Sequence, residues 1–415
     1  MGKLSGNDPY DVYLSGAEAL LTIENPLAPD NGGHLILFRD SFGSSLTPLL
    51  VDSYAKITVV DLRYVNWHIL QRMNIDYKGA DVLFLYGTTL LTLSNGIKVY
   101  LKPTDFKADE IRMYGHSWGG NSLFADEDAL NFQSGIMNSV IAAGGVGNFS
   151  NTDLPKILAG KKVSISTSVG TLAETISGST TPKDFETMMQ LIYLGFTAPR
   201  MDNEALESYK QRLRISLANQ EGKPMTALQD TINKVLYNNH PMVTRMKADV
   251  VDRIDYEKII EMYKNRFEDA SDFTFFLVGN INFDEVNPLI EKYLGGLPTT
   301  NRKETFKDLK MDIQKGKRQV VFNQKQETPL ATVILVNSGK VDYNLKNKLL
   351  MTCFTRTMDM VYTEEVREKE GGTYGVGVSG SVSKHPKEQG LVEIQFNTDP
   401  SKREKMVEII TREGT

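Results

Sequence analysis

Arg367 and Tyr374 are the two residues whose types and positions in this sequence are most suggestive of chemistry. An apolar-periodic helix ends in a run of charged residues, Gly371-Gly372 breaks it, and the chain then enters a strand. A guanidinium and a phenol at such a break can donate hydrogen bonds to a ligand. The alternative, on spacing alone, is that Arg367 pairs with a neighbouring glutamate (Glu364 or Glu370) and Tyr374 packs in the sheet core.

A second candidate is a serine at the end of the first predicted strand. The strand His34–Phe38 is followed by Arg39, Asp40 and Ser41, just before a predicted helix. The carboxyl ends of strands in parallel sheets carry the chemistry, so Ser41 stands where a nucleophile would. The alternative is that Asp40 and Ser41 only cap the following helix.

A third pattern, Gly-His-Ser-Trp-Gly at 115–119, matches the G-x-S-x-G nucleophile elbow. That elbow requires a strand, a sharp turn and an immediate helix. The strand is predicted, but a helix follows only from about Asp126, and no Asp–His pair presents itself downstream. We therefore interpret the match as a coincidence of a short glycine pattern.

The histidines were compared with the spacing that a zinc peptidase needs. No Glu-His follows the first four of the five at the H-x-x-E-H spacing: His34, His68, His116 and His240. His385 comes nearest, in H-x-x-E-Q, but Gln389 replaces the second histidine and Pro386 predicts a turn. Ligands at i and i+4 share a face only on a helix. The sequence therefore predicts no metal site and no cofactor in this chain.

Composition narrows the class of protein. The 415 residues carry a net charge of −5 with both signs interspersed, so no basic face for nucleic acid is predicted. No apolar run approaches the 18 or so residues of a membrane-spanning helix. The single cysteine, Cys353, excludes an intrachain disulfide, and its helix position predicts a buried small apolar side chain.

The predicted elements indicate a mixed α/β and α+β protein of three parts. Residues 1–91 alternate apolar strands and helices, which predicts a βαβαβ three-layer fragment around a parallel sheet. Residues 92–314 and 315–415 each combine alternating strands with helices, which predicts two α+β domains with antiparallel sheets. The last domain is predicted to be truncated at its C-terminus.

These two α+β domains share one order of elements. In each, a strand and a long helix precede a glycine-containing break, two strands and a further helix. The breaks are Leu158-Ala159-Gly160 in the first domain and Glu370-Gly371-Gly372 in the second. The period exceeds 200 residues, so the pattern indicates duplicated domains rather than a solenoid.

The N-terminal segment resembles the C-terminal part of the DHHW proteins, which are SGNH-hydrolase-like relatives of polysaccharide O-acetyltransferases. The similarity lies in Arg39–Ser45, Ile57–Tyr64 and Asp81–Gly87. In that group, a serine at the position of Ser41 is the nucleophile, and an upstream Asp-x-His supplies its base. No Asp-x-His precedes Ser41 here, and a serine without a base is a weak nucleophile. Ser41 is therefore interpreted as a catalytic remnant.

Residues from about 92 to 415 resemble the non-catalytic C-terminal half of pitrilysin/insulinase-like zinc peptidases, closest to those of Bacteroides-type bacteria. The most specific segment is Tyr362–Val376, with support from Thr92–Val99, Leu158–Lys161 and Phe275–Asn280. In that family two halves, each a pair of α+β domains, close like a clamshell around a peptide. The other half carries H-x-x-E-H and binds the zinc.

The resemblance also implies a role for the first two residues considered above. In the family an arginine, and a tyrosine seven residues later, hydrogen-bond the substrate near the zinc, and Arg367 and Tyr374 match that spacing. Such groups can hold a peptide carbonyl as charge develops on it.

The predicted function is that of a substrate-binding half of a zinc metallopeptidase, inactive alone, with zinc only in a partner half. Its expected partners are a peptide substrate and a catalytic H-x-x-E-H half, with no nucleic acid and no membrane segment. The alternatives are an ester hydrolase or O-acetyltransferase remnant centred on Ser41, or an inactive interaction module. A fusion of two such pieces is unusual and suggests a chimera. Both resembled groups usually act outside the cytoplasm, yet Met1–Pro9 has no apolar export segment, so localisation stays open.

Overall fold

The computed structural model describes residue 14 and residues 18–413, except 30, 31, 41, 42, 63, 66, 71, 74, 86, 325–327, 372 and 374, and the side chains of 67, 68 and 413. Within these residues the strands are β1 (Leu20–Glu24), β2 (Gly33–Arg39), β3 (Tyr54–Val60), β4 (Asp81–Leu85), β5 (Thr89–Thr92), β6 (Lys98–Pro103), β7 (Ile111–Trp118), β8 (Val163–Val169), β9 (Ala173–Thr180), β10 (Thr274–Gly279), β11 (Ala331–Gly339), β12 (Val376–Ser383) and β13 (Gln389–Thr398). They form three separate sheets.

The helices lie between these strands and after the last of them. They are α1 (Gly43–Leu50), α2 (Trp67–Leu70), α3 (Ala129–Phe132), α4 (Ile136–Gly144), α5 (Leu154–Ile157), α6 (Phe185–Thr197), α7 (Asn203–Gln220), α8 (Pro224–Tyr237), α9 (Tyr256–Phe267), α10 (Phe283–Tyr293), α11 (Leu345–Tyr362) and α12 (Arg403–Glu413). A π-helix, Thr363–Lys369, continues α11 without a break.

The first sheet has the strand order β1-β3-β2-β4. Strand β2 pairs in parallel with both β3 and β4, as the apolar runs predict, whereas the edge strand β1 is antiparallel and was not predicted. Two apolar clusters bury opposite sides of β2: Ile36 and Phe38 contribute to one, and Leu35 and Leu37 to the other. Burial on both faces explains why β2 is a continuous apolar run.

The second sheet has six strands in the order β5-β6-β10-β7-β9-β8. On β7, Ile111 and Met113 are buried in the largest apolar cluster, while Tyr114 and Trp118 on the opposite face are exposed. Among the described residues, this sheet therefore buries one face in the largest apolar cluster and leaves these two side chains of the other face exposed. Its pairings are antiparallel except that β10 runs parallel to β6, so the prediction of a purely antiparallel sheet was wrong at this pair. The predicted boundary between residues 91 and 92 falls inside β5.

The third sheet repeats part of the second. Its order is β11-β13-β12, and β7-β9-β8 is the corresponding run of the second sheet. In both, the first strand pairs antiparallel with the second strand of a following hairpin. The duplicated α+β topology therefore agrees with the order of elements in the sequence, and the predicted fold class is confirmed.

Three local predictions were wrong. The helix expected over 127–142 is divided into α3 and α4 because Ser134 and Gly135 adopt positive φ values of 54° and 75°. The segment 319–322, expected to be a strand, has no regular secondary structure and lies outside the three described sheets, with Val320 and Val321 exposed. Cys353 is exposed rather than buried.

The exposure of Cys353 follows from the way α11 packs. The helix buries Thr355, Met358 and Tyr362 at helical spacing, and the last two join the apolar cluster of the third sheet. A second stripe on α11, which includes Leu349 and Cys353, is exposed to solvent. Both stripes are apolar, so periodicity alone did not distinguish the buried one.

Candidate functional site

Arg367 lies in the π-helical turn that ends the long helix of the third sheet. The buried side chain of Val366 anchors this turn in the apolar cluster of that sheet. The turn stops at Gly371, whose φ is +54° and whose N–H donates to the Arg367 carbonyl at 3.1 Å. A glycine in the left-handed region is a common helix end, and π-helical turns occur frequently at functional sites.

The predicted surface ion pair of Arg367 is not formed. Glu364 and Glu365 both pair with Lys369, at 3.1 Å and 2.5 Å, and Glu370 pairs with Lys405. No carboxylate among the described residues lies within 4 Å of the Arg367 guanidinium, and the residue is exposed. Its neighbouring acids are thus occupied by lysines, which leaves the guanidinium accessible to a ligand.

Two predicted site residues, Tyr374 and Ser41, lie outside the described residues. The chain next to Tyr374 is described: the Thr373 hydroxyl donates to the Gly375 carbonyl at 2.9 Å, just before β12 begins. The roles expected of Tyr374 and Ser41 therefore stay predictions.

The residues around Ser41 join the first sheet to the second. The buried Asp40 carboxylate accepts hydrogen bonds from Lys102 Nζ and from the Gly87 N–H, both at 2.7 Å. Lys102 belongs to β6, so this ion pair bridges the two sheets. His34 lies near the N-terminal end of β2 and contacts the Thr58 hydroxyl at 2.8 Å. Asp40 therefore has a structural role beyond any contribution to capping α1.

The Gly-His-Ser-Trp-Gly pattern does not form a nucleophile elbow. Ser117 lies within β7 and is buried, and only a short 3₁₀ turn, Gly120–Leu123, follows the strand. The motif needs its serine on a sharp turn that leads directly into a helix. The interpretation of this pattern as a coincidence is consistent with that geometry.

His385 occupies a turn and contacts aromatic rings. It lies between β12 and β13, with its ring centroid 4.9 Å from Trp118 and 5.1 Å from Phe306. The His116 ring also contacts Trp118, with 4.6 Å between the ring centroids. Burial lowers the pKa of the His116 imidazole. No group of three or more His, Cys, Asp or Glu side chains among the described residues could hold a metal ion. The side chains present here do not fit a zinc site.

The rings around Trp118 form a contact between the second and third sheets that the sequence reading missed. Beside it, Lys387 from the β12–β13 turn pairs with Asp308 at 3.2 Å and with Asp312 at 2.6 Å. The alternation of β7, with Tyr114, His116 and Trp118 on one face, was a signal for a second aromatic face. No local sequence pattern predicts that His385 contacts this aromatic face.

No described helix has both the length and the apolar character needed to cross a bilayer.

Sequence comparisons match one family model to the C-terminal part of the chain and also identify several zinc protease relatives. Residues 253–414 match the family model described as "Peptidase M16 inactive domain". The "Zinc protease PQQL-like" protein of Arabidopsis thaliana is 32% identical over 213 residues, which are 51% of this chain and 20% of that protein. The "Probable zinc protease PqqL" of Haemophilus influenzae is 22% identical over 315 residues, 76% of this chain and 33% of that protein. The chain thus spans a third or less of these two relatives.

Solved structures show a similar fold. The periplasmic protease PqqL from Escherichia coli superposes with a TM-score of 0.70 and 17% identity, over 90% of this chain and 44% of that one. A peptidase M16 inactive domain from Pseudomonas fluorescens gives a TM-score of 0.58 at 14% identity, over 78% and 77% of the two chains. Residues 92–415 are 324 of 415 residues, or 78%, so the PqqL superposition also includes part of residues 1–91.

These matches give no support to the DHHW resemblance or to a chimera, and both stay predictions from the sequence. The family matched is that of an inactive domain, which agrees with the lack of H-x-x-E-H in this chain. Residues 253–414 match the inactive domain of the M16 peptidases, and this match and the PqqL-like relatives support the predicted likeness to the C-terminal half of insulinase-like peptidases.

Proposed function

We propose that residues 92–415 are the non-catalytic half of a clamshell zinc metallopeptidase and hold a peptide substrate for a partner half that carries the zinc. The match to an M16 inactive domain supports the class of the module. The zinc protease relatives, which are about three times as long as the segment they match, support the existence of a second half elsewhere.

The accessible guanidinium of Arg367 is the observation that carries the substrate-binding part of the proposal. An arginine with no carboxylate partner among the described residues carries five N–H donors, of which one or two can reach a peptide carbonyl or carboxylate. The anchored Val366 and the Gly371 stop keep its backbone in a defined position. Tyr374 is proposed as the second donor, seven residues later, on the resemblance alone.

The experiment combines this chain with a separately produced, zinc-loaded H-x-x-E-H half from a PqqL-like protease and measures cleavage of a fluorogenic peptide. We expect the mixture to cleave and this chain alone not to cleave. Arg367→Ala should lower kcat of the mixture by about 100-fold, the typical cost of losing one donor to developing charge. Tyr374→Phe should also lower it.

A matched control comes from the same helix. Arg356 is an exposed arginine on α11 with no ion-pair partner among the described residues, so Arg356→Ala removes an equivalent charge away from the π-helical turn. Its kcat should equal that of the unmodified mixture. If the two alanine variants lose activity equally, or if Arg367→Ala loses none, the proposed role of Arg367 is wrong.

A further inference from the structure

The exposed edge strand β4 carries features of a strand that is built to pair with another strand. Its sequence, Asp-Val-Leu-Phe-Leu, has four consecutive apolar residues and no proline or lysine. The central three are exposed, with relative accessibilities of 47% for Val82, 39% for Leu83 and 63% for Phe84. Edge strands in stable monomers are usually protected by charges, prolines or bulges, and β4 has none of these within its apolar run.

The opposite edge of the same sheet shows the contrast. Strand β1, Leu-Leu-Thr-Ile-Glu, places Thr22 and Glu24 among its apolar residues and, within the described strands, pairs with β3 alone. Polar side chains on an edge discourage a further strand from adding. The two edges of this sheet therefore differ in their suitability for pairing, and β4 is the suitable one.

The direction of the free backbone groups on β4 can be deduced from one hydrogen bond. The Asp40 N–H, directly after β2, donates to the Leu85 carbonyl at 3.3 Å, so the backbone polar groups of Leu85 face β2. Backbone groups alternate in direction along a strand, so those of Leu83 also face β2, and those of Val82 and Phe84 face the open edge.

We propose that β4 pairs antiparallel with β4 of a second copy of this chain, about a two-fold axis at Leu83. This register places Val82 opposite Phe84 of the second copy, and both residues direct their N–H and C=O groups outward. Residues that face each other in this way exchange two hydrogen bonds, which gives four across the dimer. A two-fold axis makes the contact self-complementary and closed.

Side-chain chemistry favours the same register. Val82 lies beside Phe84 of the second copy on one face, and the two Leu83 side chains meet on the other, which are favourable cross-strand pairs. Asp81 is opposite Leu85, so the two acids do not meet, and its carboxylate already accepts a hydrogen bond from the Tyr54 hydroxyl at 3.0 Å. The joined sheet would combine the parallel pairs of β2 with an antiparallel β4–β4 pair, and such mixed sheets are common.

Further exposed apolar side chains lie on the segments that cover the two faces of this sheet. They are Leu49, Tyr64, Ile69, Met73 and Tyr77. A strand alone buries a small area, so a specific dimer needs contributions from the flanking layers as well. These residues lie in the connections between β2, β3 and β4 and provide further exposed apolar surface.

The test measures the mass of the full chain by sedimentation equilibrium over an approximately 100-fold range of protein concentration. We expect a monomer–dimer equilibrium in the unmodified protein. Val82→Pro removes an outward N–H without removing a bond to β2, so it should abolish the dimer while circular dichroism shows a folded chain. Val82→Lys should do the same by placing charges in the contact, and Val82→Thr should retain the dimer.

Leu349→Lys on α11 is the matched control, because it replaces an apolar residue of 56% accessibility on another surface and should leave the dimer intact. A chain that is monomeric across the whole range would overturn the proposal, since β4 would then be unpaired or covered by another segment. A dimer that persists in folded Val82→Lys would also overturn it. A dimer lost equally in Leu349→Lys would move the contact away from β4.

Discussion

Replacement of Arg266 by methionine should destabilise the second sheet through the charge that it leaves behind. The Arg266 side chain is 3% accessible and lies 3.6 Å from Glu174, which is 1% accessible, and 2.9 Å from Glu304. Glu174 also accepts the Gly120 N–H at 2.8 Å at the turn after β7. Removal of one partner of a buried pair leaves an uncompensated charge and typically costs about 3–5 kcal/mol. We expect a loss in that range for Arg266→Met at neutral pH.

A second substitution separates the charge effect from packing. Glu174→Gln keeps an acceptor for the Gly120 N–H and removes the charge, so in the Arg266→Met background it should recover about 2 kcal/mol or more. Burial raises the pKa of Glu174, so in the folded state this carboxylate takes up a proton at a higher pH than in the unfolded chain. The ionised carboxylate therefore becomes more costly as pH rises above the ordinary glutamate value, and the deficit of Arg266→Met should be smallest in acid.

The assay is urea-induced unfolding followed by the fluorescence of Trp118, at the end of β7, in a Trp67→Phe background. Arg302→Met is the control, because Arg302 pairs with Glu268 and Glu304 at 2.9 Å and 3.2 Å but is 28% accessible. It should cost less than about 1 kcal/mol, as exposed ion pairs do. Equal losses in the two methionine variants, or no recovery with Glu174→Gln, would refute the reasoning.

Two other predictions concern the third sheet and its contact with the second. The Tyr362 hydroxyl donates to the Ile410 carbonyl at 3.1 Å and so connects α11 to α12. Tyr362→Phe removes this hydrogen bond and should lower the free energy of unfolding by about 1 kcal/mol, measured in urea. An unchanged midpoint would show that this bond is dispensable. The Lys310 N–H, with the Lys310 and Lys387 ammonium groups, lowers the pKa of Asp308 to about 2. The unmodified protein should therefore lose the stabilisation contributed by the Asp308 carboxylate as pH falls from about 4 towards 2. Asp308→Asn should show no such loss. Parallel pH profiles of the unfolding midpoints of the unmodified protein and Asp308→Asn would contradict this prediction.

Much of the fold was accessible from the sequence because its elements have strong local signals. The apolar run of β2 and the break at Gly371 each reflect a local rule: burial on two faces, and a left-handed helix end at a glycine whose φ is +54°. The candidate site was accessible in part, since Arg367 lies at the predicted helix end. The lack of an ion pair at Arg367 could not be predicted, because the neighbouring glutamates choose between Arg367, Lys369 in the same run and the distant Lys405, and the sequence does not rank these partners.

The sequence by itself determined most of the order of strands and helices, apart from β1, the division of the helix at 127–142 and the segment 319–322, together with the duplicated αββα pattern and the lack of H-x-x-E-H. All three depend on residue identity and spacing along the chain. The tertiary structure decided which stripe of α11 is buried, that Asp40 joins two sheets, and that His385 meets Trp118 across 267 residues. These outcomes depend on competition between distant segments for the same surface or partner, and a local pattern does not contain the relative energies of those alternatives.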